Sequence, residues 1–178
     1  MDFINSIEEQ IAKAVKLSRF SDGLQTIRNE KGWRENELDV EYCYLINVAR
    51  SFIGFGGLFS IKLNHSKYRL TENPEALIQG IYTLENEKVK EIYFEKNLSN
   101  FEDKLNSTIE LDIFNSKKGL TIDGDSFIYS IHSNQLKAII SFSNPNQENW
   151  NKWLDSFFIT GNEIAIKSNI KPLIELFK

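Results

Sequence analysis

Between residues 35 and 46 the apolar residues recur every second position. Leu38, Val40, Tyr42, Tyr44 and Ile46 fall on one side, and Glu35, Glu37, Asp39 and Glu41 on the other, followed by Cys43 and Leu45. Side chains of a strand point alternately to opposite faces, so this period predicts a strand and excludes a helix. One apolar and one charged face predict a half-buried strand, the usual situation in an antiparallel sheet with one wet side. Its outer face is expected to begin with four carboxylates.

The same period returns along the chain. Phe52 to Leu63 reads as a strand interrupted by Gly54, Gly56 and Gly57, where a bulge or a close backbone approach is expected. Residues 77–84 and 88–95 read as a hairpin turning at Glu85-Asn86-Glu87. Residues 108–114 and 120–123 read as strands, and 127–132 with 135–142 as a second hairpin across Ser133-Asn134. Residues 24–28 fit either a strand or a short helix. Helical spacing appears at the N-terminus, where Ile4, Ile7, Ile11, Ala14, Val15 and Ser18 form one stripe, with Asp2 as N-cap and Glu8, Glu9, Lys13 and Lys16 off it. Ser99 caps a short helix to about 105. Asn144-Pro145 opens a helix to about 158, striped by Trp150, Trp153, Leu154 and Phe157. A strand at 163–167 and a helix at 170–177 complete the reading.

Strands in hairpin succession, rather than strict alternation with helices, predict an α+β fold: antiparallel sheet runs each followed by a helix, plus an N-terminal amphipathic helix. The order over residues 38–158 resembles Whirly-type domains, in which two antiparallel sheets are each closed by a helix. That resemblance implies a fold and carries over no residues. At 178 residues, 41% hydrophobic, with no Pro/Gly/Ser-rich linker, one domain spanning 1–178 is expected. The acidic start and spaced apolar residues fit neither a secretory signal nor a membrane span, so a soluble, cytoplasmic protein is expected.

The chemistry-bearing residues are sparse. Gly54-Phe55-Gly56-Gly57 lacks the third glycine of a dinucleotide loop, where Phe59 stands, and lacks the Gly-Lys-Ser/Thr of a phosphate loop. Asp123-Gly124-Asp125 opens like a calcium loop but continues with Phe127, Ile128 and Asn134 where ligands and glycine belong, so a hairpin turn is expected. His65 and His132 have no metal-ligand neighbours at useful spacing, and neither metal nor cofactor is expected. Cys43, the single cysteine, pairs with His132 as nucleophile and base in a small-hydrolase reading, against the plainer reading of a small residue in a sheet. Trp150 and Trp153 read as core. Trp33, Phe55 and Phe59, with Lys62, Lys67 and Arg69, supply stacking platforms and backbone contacts for an alternative reading as a single-stranded nucleic-acid module. A net charge of −4 argues against it.

Charge is unevenly placed. Residues 35–61 hold four acids and one base, net −3, and residues 85–112 hold eight acids and four bases, net −4. Charges of one sign on one face speed and orient encounter with an opposite partner. The plain alternative is a solvated edge that resists sheet-to-sheet aggregation. With the stand-alone α+β domain and the Asn-, Lys- and Ile-rich usage, these acidic runs resemble the immunity proteins of bacterial toxin–immunity systems, including contact-dependent growth inhibition. The resemblance implies a non-enzymatic protein that neutralises a cognate toxin, often a basic nuclease. Glu35, Glu37, Asp39, Glu41, Glu85, Glu87, Glu91 and Glu95 are then its expected partner contacts, with no membrane or nucleic-acid partner.

Overall fold

A computed structural model describes residues 2–17, 24–28, 31, 34–65, 76–97, 124–133, 136–144 and 148–178. The expected helix at 99–105, the expected strands at 108–114 and 120–123, and Trp33 lie outside these residues. The chain forms helix α1 (Asp2–Ala14), strands β1 (Leu24–Arg28), β2 (Arg34–Arg50), β3 (Gly54–His65), β4 (Ala76–Glu85), β5 (Lys88–Asn97), β6 (Asp125–Ser133) and β7 (Leu136–Ser143), and helices α2 (Glu148–Ser168) and α3 (Lys171–Phe177). The described strands make one antiparallel sheet in the order β5-β4-β3-β2-β6-β7. β3 pairs along one edge of β2, while β1 and β6 share the other edge end to end. The α+β class, the antiparallel sheet and the N-terminal helix are as the sequence predicts. Among the described residues no helix is long and apolar enough to cross a membrane.

From Val40 to Val48 both faces of β2 are covered, which corrects the half-buried reading over that part of the strand. Cys43 and Leu45 pack with Phe59, Ile61, Ile78 and Tyr82 under α1, which contributes Ile4, Ile7, Ile11, Ala12 and Val15. Tyr44, Ile46 and Val48 pack with Leu58, Ile81, Phe127 and Tyr129 under α2 and α3. A bulge at Glu41 changes the parity. Val40 pairs with Leu63 and Tyr42 with Lys62, so Glu41 is the unpaired residue, and Val40 joins the α1 face instead of the Tyr42 face. The expected single row of alternating side chains therefore breaks at that residue.

The α1 stripe also differs from expectation. Ala12 and Glu8 are buried and Ala14 is exposed, because the face runs 4-7-8-11-12-15. The helix ends in a Schellman turn: Leu17 N–H donates to the Ala12 carbonyl at 2.8 Å and Lys16 N–H to the Lys13 carbonyl at 3.2 Å, with Lys16 left-handed at φ 64°. α2 continues through the stretch expected as a strand at 163–167. Gly161 permits this packing, since a Cβ there would overlap the Phe177 ring of α3. Trp150 and Trp153 are core, as expected. The Trp153 ring lies 5.8 Å from Phe127, 5.3 Å from Phe142 and 5.7 Å from Phe157, in the edge-on and stacked geometries aromatic quadrupoles favour.

Candidate functional site

The expected acidic contacts with described side chains, Glu41, Glu85, Glu87, Glu91 and Glu95, are spread over β2, β4, β5 and the β4–β5 turn. Glu41 projects from the bulge and accepts from Lys62 Nζ at 3.0 Å. Glu95, separated from β2 by β3 and β4, accepts from Lys167 Nζ at 2.9 Å and from the Tyr93 hydroxyl at 3.3 Å. Glu85 accepts from Lys90 Nζ at 2.9 Å. These carboxylates hold Lys167 and Lys90 above the ordinary lysine range, chiefly through the hydrogen bond each accepts. Glu91 lies half-buried on β5, where its N–H donates to Thr83 Oγ1 at 3.2 Å. The β2 backbone carries residues 35, 37 and 39, whose side chains lie outside the described set. The chain's own lysines thus engage three of the five acids whose side chains are described. Glu87 stands apart from them at the β4–β5 turn.

The residues of the hydrolase reading do come together, in the wrong medium. Cys43 and His132 are direct cross-strand partners on β2 and β6. His132 Nε2 lies 3.5 Å from Glu8 Oε2 of α1 and 3.3 Å from Ser130 Oγ. Glu8, Cys43, Ser130 and His132 are all buried. Burial first, and the Glu8 carboxylate second, push the Cys43 thiol far above its ordinary value of 9.0. A nucleophile needs the thiolate, and this environment keeps the sulfur protonated. The cluster clasps α1 to the sheet.

The stacking platform of the nucleic-acid reading is also interrupted. Phe59 is wholly buried against α1, and Lys62 is engaged by Glu41. Lys67 and Arg69 lie outside the described residues. Among the described residues no group of three or more His, Cys, Asp or Glu side chains is placed to hold a metal ion.

One end of the sheet is different in kind. The β2–β3 hairpin turns through Ser51, Phe52 and Ile53, and its tip is apolar: Phe52 is 96% exposed, Phe55 62% and Ile53 50%. Phe52 has φ 64°, a left-handed conformation that a bulky residue adopts at a cost of about 1–2 kcal/mol. The base of the tip is firmly held. Arg50 Nε lies 3.5 Å from Asp125, its Nη1 donates to the Leu176 carbonyl at 2.6 Å, and its guanidinium sits 4.8 Å from the Phe158 ring centroid. Ser51 Oγ donates to the Gly124 carbonyl at 3.2 Å.

The β4–β5 turn lies beside this tip, because Phe55 pairs with Leu84 in the sheet. Its two central residues, Asn86 and Glu87, are both left-handed, at φ 50° and 62°, as a tight two-residue hairpin requires. Between the two turns and the start of α1 opens a cavity of about 400 Å³ lined by Phe3, Phe55, Leu84, Asn86 and Glu87. Phe52, Ile53 and Phe3 were not among the residues the sequence pointed to. The available signal was an apolar pair at a hairpin turn, where Gly, Asn, Asp or Ser is usual. Comparison of the chain with protein-family models, with curated proteins and with solved structures finds no match.

Proposed function

We propose that this chain is a non-catalytic binding protein that neutralises a basic protein partner, in the manner of an immunity protein against a cognate nuclease-type bacterial toxin, and that the β2–β3 tip is its anchor. The observation that carries this reading is the exposure of Phe52 on a strained but buttressed turn. Water contact of a whole aromatic ring and a left-handed backbone both cost stability, and a partner's apolar cleft offsets the first. Because Arg50 and Ser51 anchor the base of the turn, docking would order less backbone than a free loop requires, and an exposed aromatic on such a base has the character of an interface hot spot.

The net charge of −4 supports a basic partner through long-range attraction. Of the acids with described side chains, Glu85 and Glu87 lie nearest the tip and are its proposed contacts, with Glu41, Glu91 and Glu95 serving the fold or the general field; Glu35, Glu37 and Asp39, whose side chains lie outside the described residues, keep their proposed contact role. The Whirly-like element order adds nothing to this reading.

The test starts with the protein that co-purifies with the chain and proceeds with that partner in pure form. The partner is expected to be basic and to lose its activity at one equivalent of the chain. Phe52→Ala is expected to weaken binding roughly 30-fold, corresponding to about 2 kcal/mol for a central aromatic anchor. A partner whose activity survives saturation, or an unchanged affinity for Phe52→Ala, overturns the proposal.

A further inference from the structure

The cavity beside the tip has a lining that selects one kind of occupant. Phe3, Phe55 and Leu84 supply apolar and aromatic surface, and Glu87 and Asn86 supply a carboxylate and an amide. An anion would meet Glu87 at close range. A purely apolar group would desolvate Glu87 and Asn86 with nothing to pair them. An arginine or lysine side chain satisfies both parts: its alkyl stem covers the apolar wall, and its cationic head meets aromatic rings and a carboxylate together. Glu85, two residues earlier, is held by Lys90, whereas Glu87 is the acid that lines the cavity. The volume of about 400 Å³ admits a side chain of that size with room for its water. We infer that this cavity is a receptor for a basic side chain, best an arginine, presented by the partner. The inference rests on the proposed function for the source of that side chain; the chemistry of the cavity stands by itself.

Titration of the ¹⁵N-labelled protein with Nα-acetyl-argininamide, followed by amide shifts, tests it. Nα-acetyl-norleucinamide serves as the uncharged control with a similar stem. The expected result is a saturable shift at residues 55, 84, 86 and 87 with argininamide, at least fivefold weaker affinity in Glu87→Gln, and a similar loss in Phe55→Ala. The variants' own spectra report whether each remains folded. Absence of shifts at these amides, equal binding of the norleucine compound, or unchanged affinity in Glu87→Gln overturns the inference. If that happens while Phe52→Ala still weakens partner binding, the cavity assignment fails alone. If Phe52→Ala is also without effect, the reading of the whole sheet end fails.

Discussion

Glu8 sits one helical turn from Ile4 and from Ala12, so its carboxylate lies on the buried stripe of α1, among groups that exclude water. A carboxylate there needs partners, and His132 of β6 is one, at 3.5 Å. Removing that partner by His132→Ala is expected to destabilise the protein by about 1–3 kcal/mol, the cost of under-satisfying a buried polar group. Urea unfolding monitored by tryptophan fluorescence measures it. Glu8→Met combined with His132→Ala is expected to recover part of the loss, since two apolar groups need no pairing. At this scale the sequence was partly legible. Cys43 and His132 were visible as complementary residue types, but their contact depends on strand register, which no spacing reveals. Glu8 was misplaced because a stripe read from isoleucines alone ran through Ala14, whereas the packed face turns through Ala12. Phe52 gives no distinct signal in the sequence, because an aromatic beside other apolar residues in a strand-like run looks like core until the turn is located.

Among the elements, β3 shows how a strand can be shaped by what it lacks. Gly56 and Gly57 lie in regular register with β2 and β4, so the glycines mark a close approach and no bulge. A Cβ at Gly57 would overlap the Ile46 carbonyl and the Tyr82 hydroxyl, which donates to Asn47 Oδ1 at 2.7 Å. Gly57→Ala is therefore expected to cost about 1–3 kcal/mol by overpacking and to displace the Tyr82–Asn47 hydrogen bond. Calorimetric unfolding gives the first quantity, and the second appears in the Asn47 side-chain amide resonances. The hairpins were legible because period-two runs bounded by turn residues carry their own register. The bulge at Glu41 was not, since an inserted residue leaves the alternation of residue types unchanged while inverting the faces. The end of α2 departs from the strand its local sequence predicts for a different reason. Ile164 and Ile166 favour a strand locally, but burial of Ile164 and Ala165 beside α3 outweighs that preference.

For the whole molecule, the sheet carries two cores, and titratable groups enclosed by one of them set how stability responds to alkali. Cys43 and Tyr82 both lie on the α1 face, and burial raises both above their ordinary values of 9.0 and 10.0. Each group is neutral when protonated, so the folded state retains a proton that the unfolded state releases. Stability linked to Cys43 is thus fully present below pH 9 and falls as pH rises above it, with a slope limited to about 1.4 kcal/mol per pH unit for one group. Tyr82 adds its own loss above pH 10, in the same direction. Lys90 and Lys167, raised by Glu85 and Glu95, act in this direction too, but they are exposed and begin higher still, above 10.5. Among the described residues Cys43 therefore sets the onset. In Cys43→Ala the pH at which unfolding free energy starts to decline is expected to move from about 9 to about 10, even if the lost sulfur lowers stability at neutral pH. Denaturant midpoints taken every half unit from pH 7 to 11 measure that onset. An unchanged onset in Cys43→Ala would mean that the thiol ionises as easily in the folded chain as in the unfolded one, which contradicts its enclosure between α1 and the sheet.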